Sequence, residues 1–153
     1  MAITRISHDN GLFTFPMDSR WNHYIEDDGT QVFWYPPSGS GTLRVSSITA
    51  KKIVLEGSCP AADALNKSGP IRTRTDDVAS THYQVTSKEG GSGTVMLWWE
   101  FSHFLAPQNL RIALFSFTIW ATERKVRAVV LQIEQLRDLL EQIQFGPLRE
   151  FEK

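Results

Sequence analysis

The sequence predicts an α+β domain: an antiparallel sheet of about six strands closed by one long C-terminal helix. Three observations carry this. The stretch from Trp21 to Ile48 reads as strand, tight Asp28-Gly29 turn, second strand, Pro/Gly/Ser loop and third strand. Two long alternating runs, Thr94 to Phe104 and Leu110 to Trp120, follow in the second half. From Glu123 to Gln144, apolar residues recur at three- and four-residue steps. Strands gathered ahead of a single helix argue for α+β layering and against a parallel βαβ sheet.

Met1 to Asn10 is polar and unpatterned, a loose arm or a short edge element. Leu12-Phe13-Thr14-Phe15 forms a brief strand that Pro16 should stop. Met17 to Arg20 is a turn, or one helical turn with Asp18 near its start. His23 to Glu26 and Thr30 to Tyr35 pair across Asp28-Gly29, where a type I′ turn needs positive φ at both central residues. Val32, Phe33, Trp34 and Tyr35 place bulk on both faces, so this strand should be interior and covered on both sides. Pro36 to Gly41 is a loop whose glycines lack the Lys-Ser/Thr and helix of a phosphate cradle.

Thr42 to Ile48 is a strand with Leu43, Val45 and Ser47 on one face. Residues 51–80 form an irregular insert, of a length that usually marks a functional or mobile segment. Within it, Ala61 to Lys67 can make two helical turns ended by Ser68-Gly69-Pro70, and Arg72 to Asp77 is charged and loop-like. Strands resume at His82 to Thr86, with turns at Lys88 to Gly93 and at Pro107-Gln108-Asn109. Both faces of Leu110 to Trp120 are largely apolar, as in a central strand. The helix 123–144 takes Thr122 as its N-cap, a core stripe of Val126, Val129, Val130, Ile133, Leu136, Leu140 and Ile143, and a Gly146-Pro147 stop.

With 153 residues the chain is expected to be one domain, 1–153. A formal net charge of −1 supplies no basic footprint for nucleic acid. Five Trp and nine Phe provide a large core. Cys59 is the single cysteine, which excludes an intramolecular disulfide and a cysteine metal cage; it reads as an unactivated thiol. Neither a secretory leader in Met1 to Phe15 nor an 18-residue apolar window is present, so the expectation is a cytoplasmic protein without a membrane span.

Several short motifs resemble one family. Phe13-Thr14-Phe15-Pro16, Trp21, Glu26-Asp27-Asp28-Gly29-Thr30, Phe33-Trp34-Tyr35-Pro36 and Gly41-Thr42-Leu43-Arg44-Val45-Ser46 are similar to a set of small uncharacterised bacterial proteins. Ser116-Phe117-Thr118 and the helix after it resemble that family's C-terminal part. The family looks related to the PsbP-like fold, an α/β/α sandwich shared by a photosystem II extrinsic subunit and a Ran-binding nuclear import factor. The resemblance implies a fold and a tendency to bind proteins, with no catalytic set to carry over. The insert at Lys51 to Ser80 and the Trp98-Trp99 pair depart from the family pattern.

The residues offer no recognisable chemistry. His8, His23, His82 and His103 show no metal-ligand spacing. Ser102-His103 and Thr81-His82 are strand neighbours, so their side chains diverge. Asp27-Asp28 is explained by turn chemistry, whereas Asp76-Asp77 stays open. Arg44 in an interior strand needs a partner, for which Glu26 and Glu100 are the candidates. Arg124, Lys125 and Arg127 fall in the expected first turns of the helix, each opposing its dipole by roughly 0.3–1 kcal/mol. Leu131 lands on the outer face.

The leading expectation is a non-enzymatic protein-binding module without cofactor or metal, such as an immunity protein that neutralises a bacterial toxin. Arg124, Arg127 and Leu131 on the helix and Arg72, Arg74, Asp76 and Asp77 in the insert are its candidate contacts. One alternative is a small-molecule module or enzyme with a pocket under the insert, using Arg72, Arg74, Asp76, Asp77 and His82. Another is a structural subunit of a phage or secretion assembly, seeded by Trp98-Trp99.

Overall fold

A computed structural model of the chain describes residues 2–37, 39–51, 60–75, 77–88, 93–105 and 109–147. Cys59 and Asp76 lie outside the described residues, as do most of the Lys88 to Gly93 turn and Pro107-Gln108. Ten strands and two α-helices are present among those described. The strands are β1 (Ile3–His8), β2 (Phe13–Asp18), β3 (Asn22–Ile25), β4 (Gln31–Trp34), β5 (Thr42–Lys51), β6 (Ile71–Thr75), β7 (Val78–Ser87), β8 (Thr94–Leu105), β9 (Asn109–Trp120) and β10 (Gln144–Phe145). The helices are α1 (Pro60–Asp63) and α2 (Arg127–Leu140).

They build a seven-stranded antiparallel sheet in the order β3-β4-β5-β9-β8-β7-β6 and a three-stranded sheet in the order β1-β2-β10. The α+β class holds, but a sheet of six strands does not. The expected loose arm is β1, paired with β2 from Ile3↔Asp18 to His8↔Phe13. Asp9 and Asn10 join these strands in left-handed conformations that short polar side chains tolerate. Pro16 does not stop β2, because β10 pairs only with Phe13 and Thr14. Beyond Thr14 that side of β2 is an edge, where a missing N–H costs little.

The Asp28-Gly29 turn differs from expectation too. Only Gly29 has positive φ (91°), its N–H reaches Glu26 O at 2.9 Å, and the Asp28 carboxylate accepts the Thr30 N–H at 2.9 Å. One left-handed glycine after a type I turn replaces the two left-handed residues of type I′. The Arg72 to Asp77 stretch is also more regular than expected, since Ile71–Thr75 is the edge strand β6. The strand expectations for the second half hold: β9 lies fourth of seven, between β5 and β8.

One face of the large sheet carries the core. Phe33, Leu43, Val45, Val95, Leu97, Trp99, Phe101, Phe115 and Phe117 pack there against Phe13, Phe15 and Met17 of β2 and Val129, Leu136 and Leu140 of α2. Phe15 meets Phe115 edge-on at a centroid distance of 5.1 Å, and Phe101 meets it at 5.8 Å. Trp98-Trp99 divides between the faces, with Trp99 in this core and Trp98 on the opposite side, stacked on Tyr83. Among the described residues, α1 and its neighbours cover the opposite face only near β6–β8, where Ala61 and Leu65 pack with Ala79. Among the described residues, the small sheet and α2 cover one face of the large sheet, and α1 covers part of the other.

The C-terminal helix is shorter than 123–144. Ala121–Glu123 forms a 3-10 turn, and Val126 precedes α2 in an extended conformation without a side-chain cap. Thr122 is thus not its N-cap, and Arg124 and Lys125 never meet the helix dipole. Val126 is exposed, while Gln132 and Leu139 join the buried side instead. After Leu140 the chain turns into β10, and the N–H of the next residue, Gly146, bonds Leu12 O at 2.9 Å. That short strand, rather than a simple helix stop, follows α2.

Candidate functional site

Alternation places every second residue of the large sheet on the sparsely covered face. One register row there runs Tyr24, Val32, Arg44, Ser116, Trp98, Tyr83 across six strands. Next to it lie Thr42, Thr118, Met96 and Val85. At the end of this face a cleft of about 570 Å³ opens between the 35–41 loop and the 3-10 turn. Trp34 and Trp120, the last residues of β4 and β9, both line it, with Thr42, Thr94, Thr118, Arg44 and Glu123. Gly41 completes the wall: its φ is +82°, and an added Cβ would fall 2.1 Å from the Phe117 ring. Only glycine fits there.

The charges of this cleft are internally matched. Arg44 pairs with Glu26, the first of the two partners its sequence position suggested, although the pair is solvent-exposed and not buried. Glu123 accepts the Ser40 hydroxyl and the Trp120 backbone N–H. Glu100, the other candidate for Arg44, is instead buried with the Tyr83 hydroxyl and the Asn66 N–H. Burial and the adjacent Glu100 carboxylate push the Tyr83 hydroxyl well above its ordinary pKa.

The sequence-predicted contacts do not converge. Arg124 points its Nε at Gln84 Oε1, 3.4 Å away, whereas Arg127 stands exposed at the start of α2. Leu131 is half-exposed on the outer face, as expected, and lines a groove of about 430 Å³ with Tyr35, Pro37, Ala128, Gln132 and Gln135. Arg72 pairs with Glu141 at 3.4 Å, and Arg72 and Arg74 line a cleft of only about 120 Å³. That cleft also contains Ser80 and Phe101, and His82 does not line it.

Asp77 belongs to a different array. It accepts the Thr75 hydroxyl and faces His103 Nε2 at 3.5 Å, while Arg111 Nη2 donates to His103 Nδ1 at 2.6 Å. This arrangement selects the Nε2–H tautomer of a neutral imidazole. Burial and the Arg111 guanidinium lower the His103 pKa against the opposing pull of Asp77. Arg111 is almost wholly buried and also donates to Gly146 O, stacking over Phe145 at 5.5 Å, so the array clamps the end of the fold. His8, lowered by burial, contacts Gln31 Oε1 at 2.8 Å and stacks on Phe13. Each of these perturbed groups has a structural partner. Among the described residues, no group of three His, Cys, Asp or Glu side chains could hold a metal ion.

No family model and no curated protein matches the chain. It is similar in structure to a protein from Bacteroides thetaiotaomicron VPI-5482, with 16% identity, a TM-score of 0.60 and coverage of 93% of this chain. Only 47% of that protein is covered, so the chain spans about half its length. It is also similar to LpqN of Mycobacterium tuberculosis, a protein involved in cell envelope biogenesis, with 12% identity and a TM-score of 0.53. That match covers 95% of this chain and 91% of LpqN. At these identities the likeness bears on the fold alone. No helix among the described residues is long and apolar enough to cross a membrane.

Proposed function

We propose that this chain is a non-enzymatic protein-binding module of PsbP-like fold that engages its partner through the outer face of α2. The observation that carries this reading is Leu131, half-exposed in the groove beside Tyr35 and Pro37, with Arg127 one helical turn away. An apolar side chain of the partner would enter the groove and acidic residues would face the cation. The narrower form of the proposal is a cytoplasmic immunity protein whose partner is a bacterial toxin.

The test is co-expression with a toxin encoded beside this gene. Rescue of growth, stoichiometric binding and loss of both in Leu131→Asp, with unchanged thermal stability, are expected. A folded protein that neither binds nor rescues defeats the immunity reading. Envelope fractionation tests the cytoplasmic assignment, a relevant control given what is recorded for LpqN.

A further inference from the structure

The cleft between Trp34 and Trp120 shares only Tyr35 with the α2 groove and has chemistry of its own. We propose that it is a binding site for a neutral saccharide. The two indoles project from the same face of the sheet, two strands apart and offset by two residues along the strands, or about 12 Å by ordinary sheet spacing. Trp34 is 38% exposed and Trp120 is 55% exposed, although core space is the usual place for so large an apolar surface. Trp34 is braced by Tyr24, whose ring lies 5.8 Å away, and the Trp120 backbone is tied to Glu123. The Trp34 indole is thus braced by a neighbouring ring, and the Trp120 backbone is fixed at its strand end.

The groups between them select the ligand class. Thr42, Thr94 and Thr118 line the cleft and supply hydroxyls able both to donate and to accept. An apolar ligand would bury these hydroxyls without partners. A charged ligand gains little, because Arg44 is already paired with Glu26 and Glu123 already accepts two hydrogen bonds. A sugar ring satisfies both demands, with its C–H face against an indole and its hydroxyls toward the threonines. A volume of about 570 Å³ lies within the usual range for small-molecule sites and admits a short oligosaccharide.

The experiment is a glycan array of neutral and acidic oligosaccharides probed with the whole chain, followed by calorimetric titration of the best neutral hit. A saturable neutral glycan is expected, with binding about tenfold weaker or worse in Trp34→Ala and Trp120→Ala. Trp98→Ala, elsewhere on the same face, should bind normally. Thr118→Val, a near-isosteric change, should weaken binding without altering the fold. Retention of only acidic glycans, or of none by folded protein, overturns the proposal. So does a neutral glycan whose affinity survives both indole substitutions.

Discussion

The two faces of the large sheet are made by the same strands and the same alternation, yet they have opposite fates. Facing β2 and α2, Phe33, Leu43, Phe115 and Phe117 are almost inaccessible to solvent. On the reverse, Tyr24, Trp34, Ile48, Val85 and Trp120 remain substantially exposed. Hydrophobicity alone does not separate the two sets; what separates them is the layer each strand face meets. Aromatic side chains on the first face hold the fold together, whereas Tyr24, Trp34 and Trp120 on the second stay in contact with solvent.

Substitutions can break this contrast, beginning with the largest effect. Phe115→Ala, which removes a ring touching Phe13, Phe15 and Phe101, should cost about 3–5 kcal/mol in urea denaturation. Gly41→Ala, strained by its φ and by the Phe117 ring, should cost about 1–3 kcal/mol and distort the cleft wall. Trp120→Ala, at the end of the same strand as Phe115 but on the opposite face, should change stability by no more than about 0.5 kcal/mol. A loss from Trp120→Ala as large as that from Phe115→Ala would abolish the distinction between the faces.

Acidification sharpens the contrast differently. His8 and His103 are held neutral in the fold, with pKa values lowered below the ordinary 6.5. As the pH falls through that value the unfolded chain takes up protons that the folded chain refuses. Their contribution is therefore complete above 6.5 and is lost as the pH falls through the lowered folded-state values. His8 faces Gln31, Phe13 and Asp9, while His103 faces Arg111 and Asp77. Thermal melts should show declining stability across this window, with a shallower slope in His8→Gln.

Much of the fold was legible because its longest elements announce themselves. In β8 and β9 the alternation persists over 12 residues each, and nothing competes with it. Elsewhere the governing constraint was tertiary. The Ile71–Thr75 strand reads as a charged loop because its arginines and threonines occupy an exposed edge and bury little. Asp9-Asn10-Gly11 was a readable turn signal, and with it the β1–β2 hairpin could have been found.

Three cations crowding the expected helix start were a clue of the same kind. Two of them precede α2, so the electrostatic conflict shows where the helix does not begin. The helix-face expectation for Leu131 held because one element suffices to define it. The cleft did not emerge from the sequence, since β4, β5, β8 and β9 and two loops must meet before Trp34 and Trp120 share a wall.

The pairing of β5 with β9 also has a consequence for how the chain acquires its shape. Strand β5 ends at Lys51, and its neighbour on that side begins only at Asn109. During synthesis the β3–β4–β5 meander must wait, with one edge open, until most of the protein has emerged from the ribosome. Such distant pairings slow folding and lengthen exposure to unwanted association. Until β9 arrives, the open edge of β5 offers its unpaired backbone groups to any other strand that meets it.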